Sequence, residues 1–388
     1  MFSKKNVVLF VVMSVSLFAV AEMPDSGNWF IQQLTSSSLP WGRNVQISES
    51  IVAWDSDWGI CYYDGTGIYS LQNGSTYCYD VAVSGNSLVG VVYGQGIYYN
   101  GALLKSNGAS YYASPDVYQN AVVWEGGSGD DFAQTDVYLH VGFITQCLTD
   151  NDQCLHNGNS PKIAGDTIAW RSFDGNDNEL FLLKNGVIQQ LTCNDAEEYP
   201  PIISDNGHVA WVTDHGYGWH AHYFDGEHTW QLTIGNGEAW IWGISDEGVL
   251  YSYMEDRHLT LYYFDGVQQQ ILYDNEEAWD YDLVASMGGG SIAWAVSGKV
   301  YFYRNGQIQS WQSAQWMPEN VIGVWGNRIV WLNSEDGNMY FAESLDIPIC
   351  KNPLTMDGNG DCKVDLADFL LLAAEWLQCG YDSSGSCG

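Results

Sequence analysis

The chain is short of positive charge. Thirteen Lys and Arg stand against 47 Asp and Glu, a formal net charge of −34. Such a surface repels nucleic acid and anionic lipid and favours cations and neutral ligands, so no nucleic-acid partner is expected. Long apolar runs are scarce as well. One opens the sequence, in "MFSKKNVVLFVVMSVSLFAVAEM", and nothing later approaches the ~20 apolar residues of a spanning helix. There is no G-x-S-x-G nucleophile elbow and no glycine-rich phosphate loop between a strand and a helix. With those missing, no catalytic residue is assigned. Asp and Glu are so frequent that any acid–base couple picked from them would be arbitrary. Enzymatic activity is therefore left uncertain, with binding the first expectation.

The opening run has the make-up of a signal peptide over residues 1–21. Lys4 and Lys5 precede an apolar core from Val7 to Phe18, and Ala19-Val20-Ala21 offers a small-x-small cleavage site before Glu22. The expectation is a secreted or extracellular-surface protein with no transmembrane segment in the mature chain. Export permits disulfides, and nine cysteines leave one over. Connectivity is open at this level. Cys147 with Cys154 is the first expectation, then Cys61 with Cys78, leaving Cys193 single.

What the sequence has in quantity is a repeat. A strand ending in an aromatic recurs as "IVAW" (51–54), "VVY" (91–93), "AVVW" (121–124), "TIAW" (167–170), "HVAW" (208–211), "VLYSY" (249–253), "SIAW" (291–294) and "RIVW" (328–331). A second strand follows most copies and ends in Asp-Gly or Asn-Gly, as in "CYYDG", "IYYNG", "LLKNG", "HYFDG" and "FYRNG". These dipeptides suit type I′ hairpin turns. A third strand follows, as in "QQLTCN" and "WQLTIGN", and a fourth precedes each aromatic strand. Four antiparallel strands every 40 or so residues describe a β-propeller blade. The fold class is thus all-β, a closed propeller over residues 22–348. Eight blades are counted, with seven as the alternative if the weak second copy is irregular. The eighth copy lacks its "QLT" strand, while "WFIQQLT" (29–35) stands alone near the start. The N-terminal strand is expected to complete the last blade and close the ring, removing the sheet edge.

The stretch "QQLTCNDAEEYPPIISDNGHVAW" (189–211) resembles the TolB-type propeller repeat, a relative of WD-repeat propellers. Such propellers host binders, scaffolds and enzymes alike, so the resemblance implies fold and not function.

One set of inter-strand loops is rich in acids and aromatics. Glu198-Tyr199, Glu238-Ala239-Trp240 and Glu277-Ala278-Trp279 occupy corresponding places in successive copies, and Trp219 lies in "DHGYGWHAH" (214–222). Rings stack on sugar faces and carboxylates accept sugar hydroxyls. Glu198, Tyr199, Trp219, Glu238, Trp240, Glu277 and Trp279 are therefore the candidate ligand-binding residues, for a glycan or a protein. Repeated residues in a propeller also serve to bond neighbouring blades. His220 and His222 would share a strand face, and with Asp214 or His215 they could hold a metal. That possibility carries the alternative reading, a polysaccharide-degrading lyase or glycoside hydrolase of propeller fold.

After Ile349 the strand pattern stops. "DGNGDCKVDLADF" places Asp357, Asn359, Asp361, Asp365 and Asp368 at positions one, three, five, nine and twelve of a loop, with the carbonyl of Lys363 at seven. Oxygen donors so spaced suit Ca²⁺. Leu366, Phe369, Leu370, Ala373 and Leu377 then recur on one helical face. The stretch resembles a single type I dockerin repeat, an EF-hand-like calcium module. The resemblance implies calcium on those six residues and a cohesin-like or cell-surface partner for the tail, 349–388. A complete dockerin has two such repeats, and position six, normally Gly, is Cys362. The expected function is accordingly a secreted, non-catalytic propeller that binds a glycan or protein and is attached through a calcium-binding tail.

Overall fold

In the computed structural model the described residues are 29–344, less 36–43, 57–58, 71–77, 107–109, 129–134, 150–155, 279–282, 313–321 and 334–337. The expected signal peptide, Cys154, Trp279 and the whole calcium tail lie outside them. Among the described residues no helix is found, and the expected helical C-terminal module lies outside them. No helix long and apolar enough to cross a membrane occurs among the described residues either.

Eight antiparallel sheets form a closed propeller. Blades 1 to 7 run over 45–70, 78–106, 110–147, 156–190, 197–231, 238–275 and 284–312. Blade 8 combines 322–344 with the strand Trp29–Gln33. Within blades 1 to 7 the strands pair in chain order, and the first strands of successive blades touch one another around the ring. The first strand of blade 5 is broken into Glu197–Glu198 and Ile202–Ile203, around Pro200 and Pro201, which offer no backbone N–H to the ladder.

The N-terminal strand closes the ring as expected. Trp29 pairs with Ser344 and Gln33 with Tyr340, antiparallel. The Leu-Thr that ends this strand does what Leu-Thr does elsewhere. Leu34 N–H donates to Met339 O (2.8 Å), as Leu191 donates to Leu180 O and Leu232 to Ala221 O. The Thr hydroxyl then accepts the next free N–H: Met339 N to Thr35 Oγ1 (2.8 Å), Leu180 N to Thr192 Oγ1 (2.8 Å), Ala221 N to Thr233 Oγ1 (2.9 Å) and Val137 N to Thr149 Oγ1 (3.1 Å). Thr serves here because a side-chain oxygen can satisfy a buried donor after the strand has turned away.

In every blade but the second, an aromatic within the second strand is the core. Trp54, Trp124, Trp170, Trp294 and Trp331 are almost wholly buried. Most stack on the residue opposite in the third strand: Trp124 on Tyr138, Trp170 on Phe181, Trp211 on His222, Tyr251 on Tyr262, Trp294 on Tyr301 and Trp331 on Tyr340. In blade 2 the ring is replaced by Val91 opposite Ile97, and Tyr93 falls just past the strand, exposed. That explains the weak second copy. The small residues before the ring, Ala53, Ala169, Ala210 and Ala293, have no exposed surface to speak of, as expected where blades crowd.

The turns divide in two. Asn100-Gly101, Asn185-Gly186 and Asn305-Gly306 have positive φ at both residues, the type I′ signature. The Asp-Gly turns differ from the expectation. Only the glycine has positive φ, and the Asp carboxylate instead accepts backbone N–H groups two and three residues on. Asp225 takes Glu227 and His228, and Asp265 takes Val267 and Gln268. At these hairpins the Asp carboxylate builds a longer Asx turn, while Asn100, Asn185 and Asn305 take positive φ themselves.

Of the expected cysteine pairs, Cys147–Cys154 lies partly outside the described residues. Cys61 and the buried Cys78 are neighbours at the junction of blades 1 and 2, where burial above all, with Cys61 adding to it, pushes the Cys78 thiol up to about 11. Cys193 is exposed.

Candidate functional site

The loops between second and third strands, and those between blades, gather on one face. There blades 5, 6 and 7 enclose a cavity of about 390 Å³. Its walls carry Trp219, which starts the third strand of blade 5, and Trp240 and Trp242 of the first strand of blade 6. Glu238 adds a carboxylate. Leu259, Leu283 and Ser252, all buried, complete the lining.

A β-bulge arranges the two tryptophans of blade 6. Trp240 pairs with Ser252 and Ile241 with Tyr251, but Gly243 pairs with Leu250, so Trp242 is the extra residue. Bulges re-aim side chains next to sites, and this one brings Trp242 onto the same cavity as Trp240. Its indole N–H donates to Ser252 Oγ (2.8 Å). Gly243 leaves the space that Met287 of blade 7 fills, since a Cβ there would lie 2.5 Å from Met287 Cγ. The ring of Trp219 meets that of Trp240 edge to face at 5.8 Å and that of Tyr199 at 5.3 Å. Tyr199, Trp219 and Trp240 thus form a continuous aromatic run.

Other candidate residues stand apart. Glu198 is 1% exposed and its carboxylate is spoken for, by Thr213 Oγ1 (2.6 Å) and Asn194 Nδ2 (2.9 Å). Burial raises its pKa to about 7. It braces the loop into blade 5 and does not line the cavity. Glu277 sits exposed in the turn after blade 6, its N–H donating to Asn275 Oδ1. Trp279 and the tail residues Asp357, Asn359, Asp361, Lys363, Asp365 and Asp368 lie outside the described residues.

The histidine cluster resolves into packing. His222 is the third-strand partner of Trp211, stacked at 5.3 Å and nearly parallel, where other blades use Tyr or Phe. Burial, with His215 and His220 adding to it, depresses its pKa to about 4. His220 Nδ1 accepts from Gln231 Nε2 (3.0 Å) while Nε2 meets Gly235 O (3.0 Å). Both nitrogens of His220 are thereby committed, and among the described residues no group containing a histidine has metal-ligating geometry.

Sequence reasoning missed Trp242, Ser252, Leu259 and Leu283. The period-two pair in "AWIWG" would have flagged Trp242, but the bulge that turns it inward has no sequence signature. Ser252, Leu259 and Leu283 join only through the packing of adjacent strands and blades.

No protein-family model matches the chain, and no curated protein does. Among solved structures, a computationally designed protein, Ika8, matches with a TM-score of 0.55 at 15% identity, covering 80% of this chain and 99% of its own. Puromycin hydrolase matches with a TM-score of 0.50 at 12% identity, over 76% of this chain and 59% of the hydrolase. Dipeptidyl peptidase 4 of Porphyromonas gingivalis gives a TM-score of 0.49 at 12% identity, over 74% of this chain and 54% of the peptidase. These findings correct the expected function. The structures matched at a TM-score of 0.50 or above are a designed protein and a hydrolase, neither of them described as sugar-binding or dockerin-bearing, so neither the tethered glycan or protein binder nor the polysaccharide-degrading enzyme is upheld. At such identities the likeness is one of fold, and the conclusion it supports is an eight-bladed β-propeller.

Proposed function

We propose that the propeller binds a small organic cation, a quaternary or alkylated ammonium, in the tryptophan cavity of blades 5 to 7. The observation that carries this reading is the convergence of three indoles and one carboxylate on a single apolar cavity. An indole face attracts a cation by its quadrupole, with about 0.5–2 kcal/mol from each well-placed ring. Glu238 adds a carboxylate to the same lining. The net charge of −34 draws cations towards the surface before they find the cavity. Ser252 is the one hydroxyl of the lining, it accepts from Trp242, and no histidine lies among the lining residues to activate it. The cavity is therefore built to recognise.

The test is tryptophan fluorescence during titration with tetramethylammonium chloride, against NaCl at matched ionic strength. Saturable quenching by the organic cation alone is expected, with affinity at least tenfold weaker in Trp240→Ala. Identical, unsaturable traces for the two salts would refute the reading.

Two finer readings rest on sequence. The Leu-Thr joints followed by Pro200-Pro201 and Ser204 support assignment of the repeat to the TolB type. The loop from Asp357 to Asp368 is proposed to ligate Ca²⁺ through Asp357, Asn359, Asp361, Lys363, Asp365 and Asp368, on ligand spacing alone.

A further inference from the structure

A second group of side chains lies on the same face, in blade 4. The turn between its second strand, Thr167–Phe173, and its third, Asn178–Lys184, reads "DGNDNE" from Asp174 to Glu179. Asp174, Asp177 and Glu179 each bring one carboxylate oxygen within 4.8 Å of the other two. Clustered acids are common on an acidic protein, and by themselves would mean little. Glu179, however, has no exposed surface, and its Oε2 has no hydrogen-bond partner. Both carboxylate oxygens of Asp177 are likewise buried and unpartnered. Among the described residues, none of the ion pairs involves any of the three. Glu179 Oε1 accepts from Asn194 N–H, and Asp174 from Asn176 N–H and Gln190 Nε2, but Glu179 Oε2 and both oxygens of Asp177 have no donor. Buried carboxylate oxygens left so are unfavourable unless a cation sits between them.

We infer that Asp174, Asp177 and Glu179 form a calcium site that ties the blade 4 turn to the loop entering blade 5. Hard oxygen donors with no nitrogen or sulfur select Ca²⁺ or Mg²⁺ over the transition metals. Ca²⁺ accepts irregular sets of six to eight oxygens, which a turn can offer, whereas Mg²⁺ demands a near-ideal octahedron and keeps most of its water. Water and backbone carbonyls would fill the remaining positions. The loop entering blade 5 already leans on this turn. Asn194 N–H donates to Glu179 Oε1 (2.6 Å), Asn178 Nδ2 to Glu197 Oε1 (2.7 Å) and Asn176 Nδ2 to Asp195 Oδ1 (3.2 Å). Calcium on Glu179 would fix the far side of that loop, which leads directly into Glu198 and Tyr199. The site is independent of the tryptophan cavity and of the tail.

The experiment is isothermal titration of the chelator-treated full chain with CaCl₂, in parent and in Asp177→Asn/Glu179→Gln. The tail loop is present in both, so the difference reports this site. The parent is expected to take up one more Ca²⁺ per chain, and its melting temperature to rise further with calcium. In chelator the double variant should melt at or above the parent, because buried like charges have been removed. Should the double variant not fold, Asp174→Asn, at a half-buried position of the turn, is read by the same stoichiometry. Equal stoichiometry and affinity in parent and variant would overturn the inference, whatever their stabilities.

Discussion

His222 shows how a residue type can mislead and its position correct it. In sequence it is one of three histidines in "HGYGWHAH" and suggests a metal. In the blade it is the ring opposite Trp211, at the place where blade 4 has Phe181 and blade 7 has Tyr301. The two readings differ in what acid should do. The folded pKa of His222 is depressed to about 4, from an ordinary 6.5. The unfolded chain therefore binds the proton first. The packing contribution of His222 is complete above about pH 6.5, is lost progressively down to about pH 4, and changes no further below that. A shift of this size corresponds to about 3 kcal/mol. Urea unfolding at pH 7.5, 5.5 and 4.0 should show His222→Phe within about 1 kcal/mol of the parent at pH 7.5 and more stable than it at pH 4.0. An unchanged difference across the three pH values would mean that His222 is not held neutral by burial. Position within the repeat was legible in the sequence once the copies were aligned, but the aromatic stacking that gives the position its meaning was not.

At the scale of elements, the strands and their order were legible because the repeat is written eight times. Alternation, Gly-containing turns and Leu-Thr joints agree in copy after copy, so a weak copy such as blade 2 is carried by its neighbours. Features of backbone and side-chain detail were illegible. The broken first strand of blade 5 and the bulge at Trp242 depend on local packing, and the Asx form of the Asp-Gly turns depends on which atoms the carboxylate reaches. The boldest expectation, closure by the N-terminal strand, was legible because one Leu-Thr was missing at the end of the ring and one was spare at its beginning. Closure is held by more than the ladder. Trp29 packs on Phe302 (5.2 Å) and Trp311 (5.6 Å) of blade 7, and its indole N–H donates to Gln309 Oε1 (3.0 Å). Thr35→Val keeps the shape but leaves the N–H of Met339 buried without an acceptor, at a cost of about 1–3 kcal/mol. Thr35→Ser should restore most of the loss. Deleting 29–35 exposes the last blade's edge, and aggregation or a sharply lower melting temperature is expected. A deletion variant that melts with the parent would show that the ring does not depend on this clasp.

On the scale of the whole molecule, shape and charge act together. The closed ring fixes the loops of blades 5, 6 and 7 as walls of one cavity, and the excess of 47 acidic over 13 basic residues biases what approaches it. The fold leaves the ligand open, since unrelated chemistries share propellers. The candidate cavity was half legible: Glu238 and Trp240 were marked by their repeated acid–aromatic pairing and Trp219 by its aromatic loop, and Trp242, Ser252 and the two leucines only by the assembled blades. The central claim is that the cavity recognises positive charge through its indole faces, and not merely apolar shape. Calorimetric titration of the full chain with choline and, in parallel, with its uncharged isostere 3,3-dimethylbutanol separates the two directly. Choline should bind at least tenfold more tightly, a difference of about 1.4 kcal/mol that lies within the reach of cation–π attraction, and its advantage should shrink in Trp240→Ala and Glu238→Gln. Equal affinities for the charged and uncharged compounds, or no binding of choline at all, would contradict it.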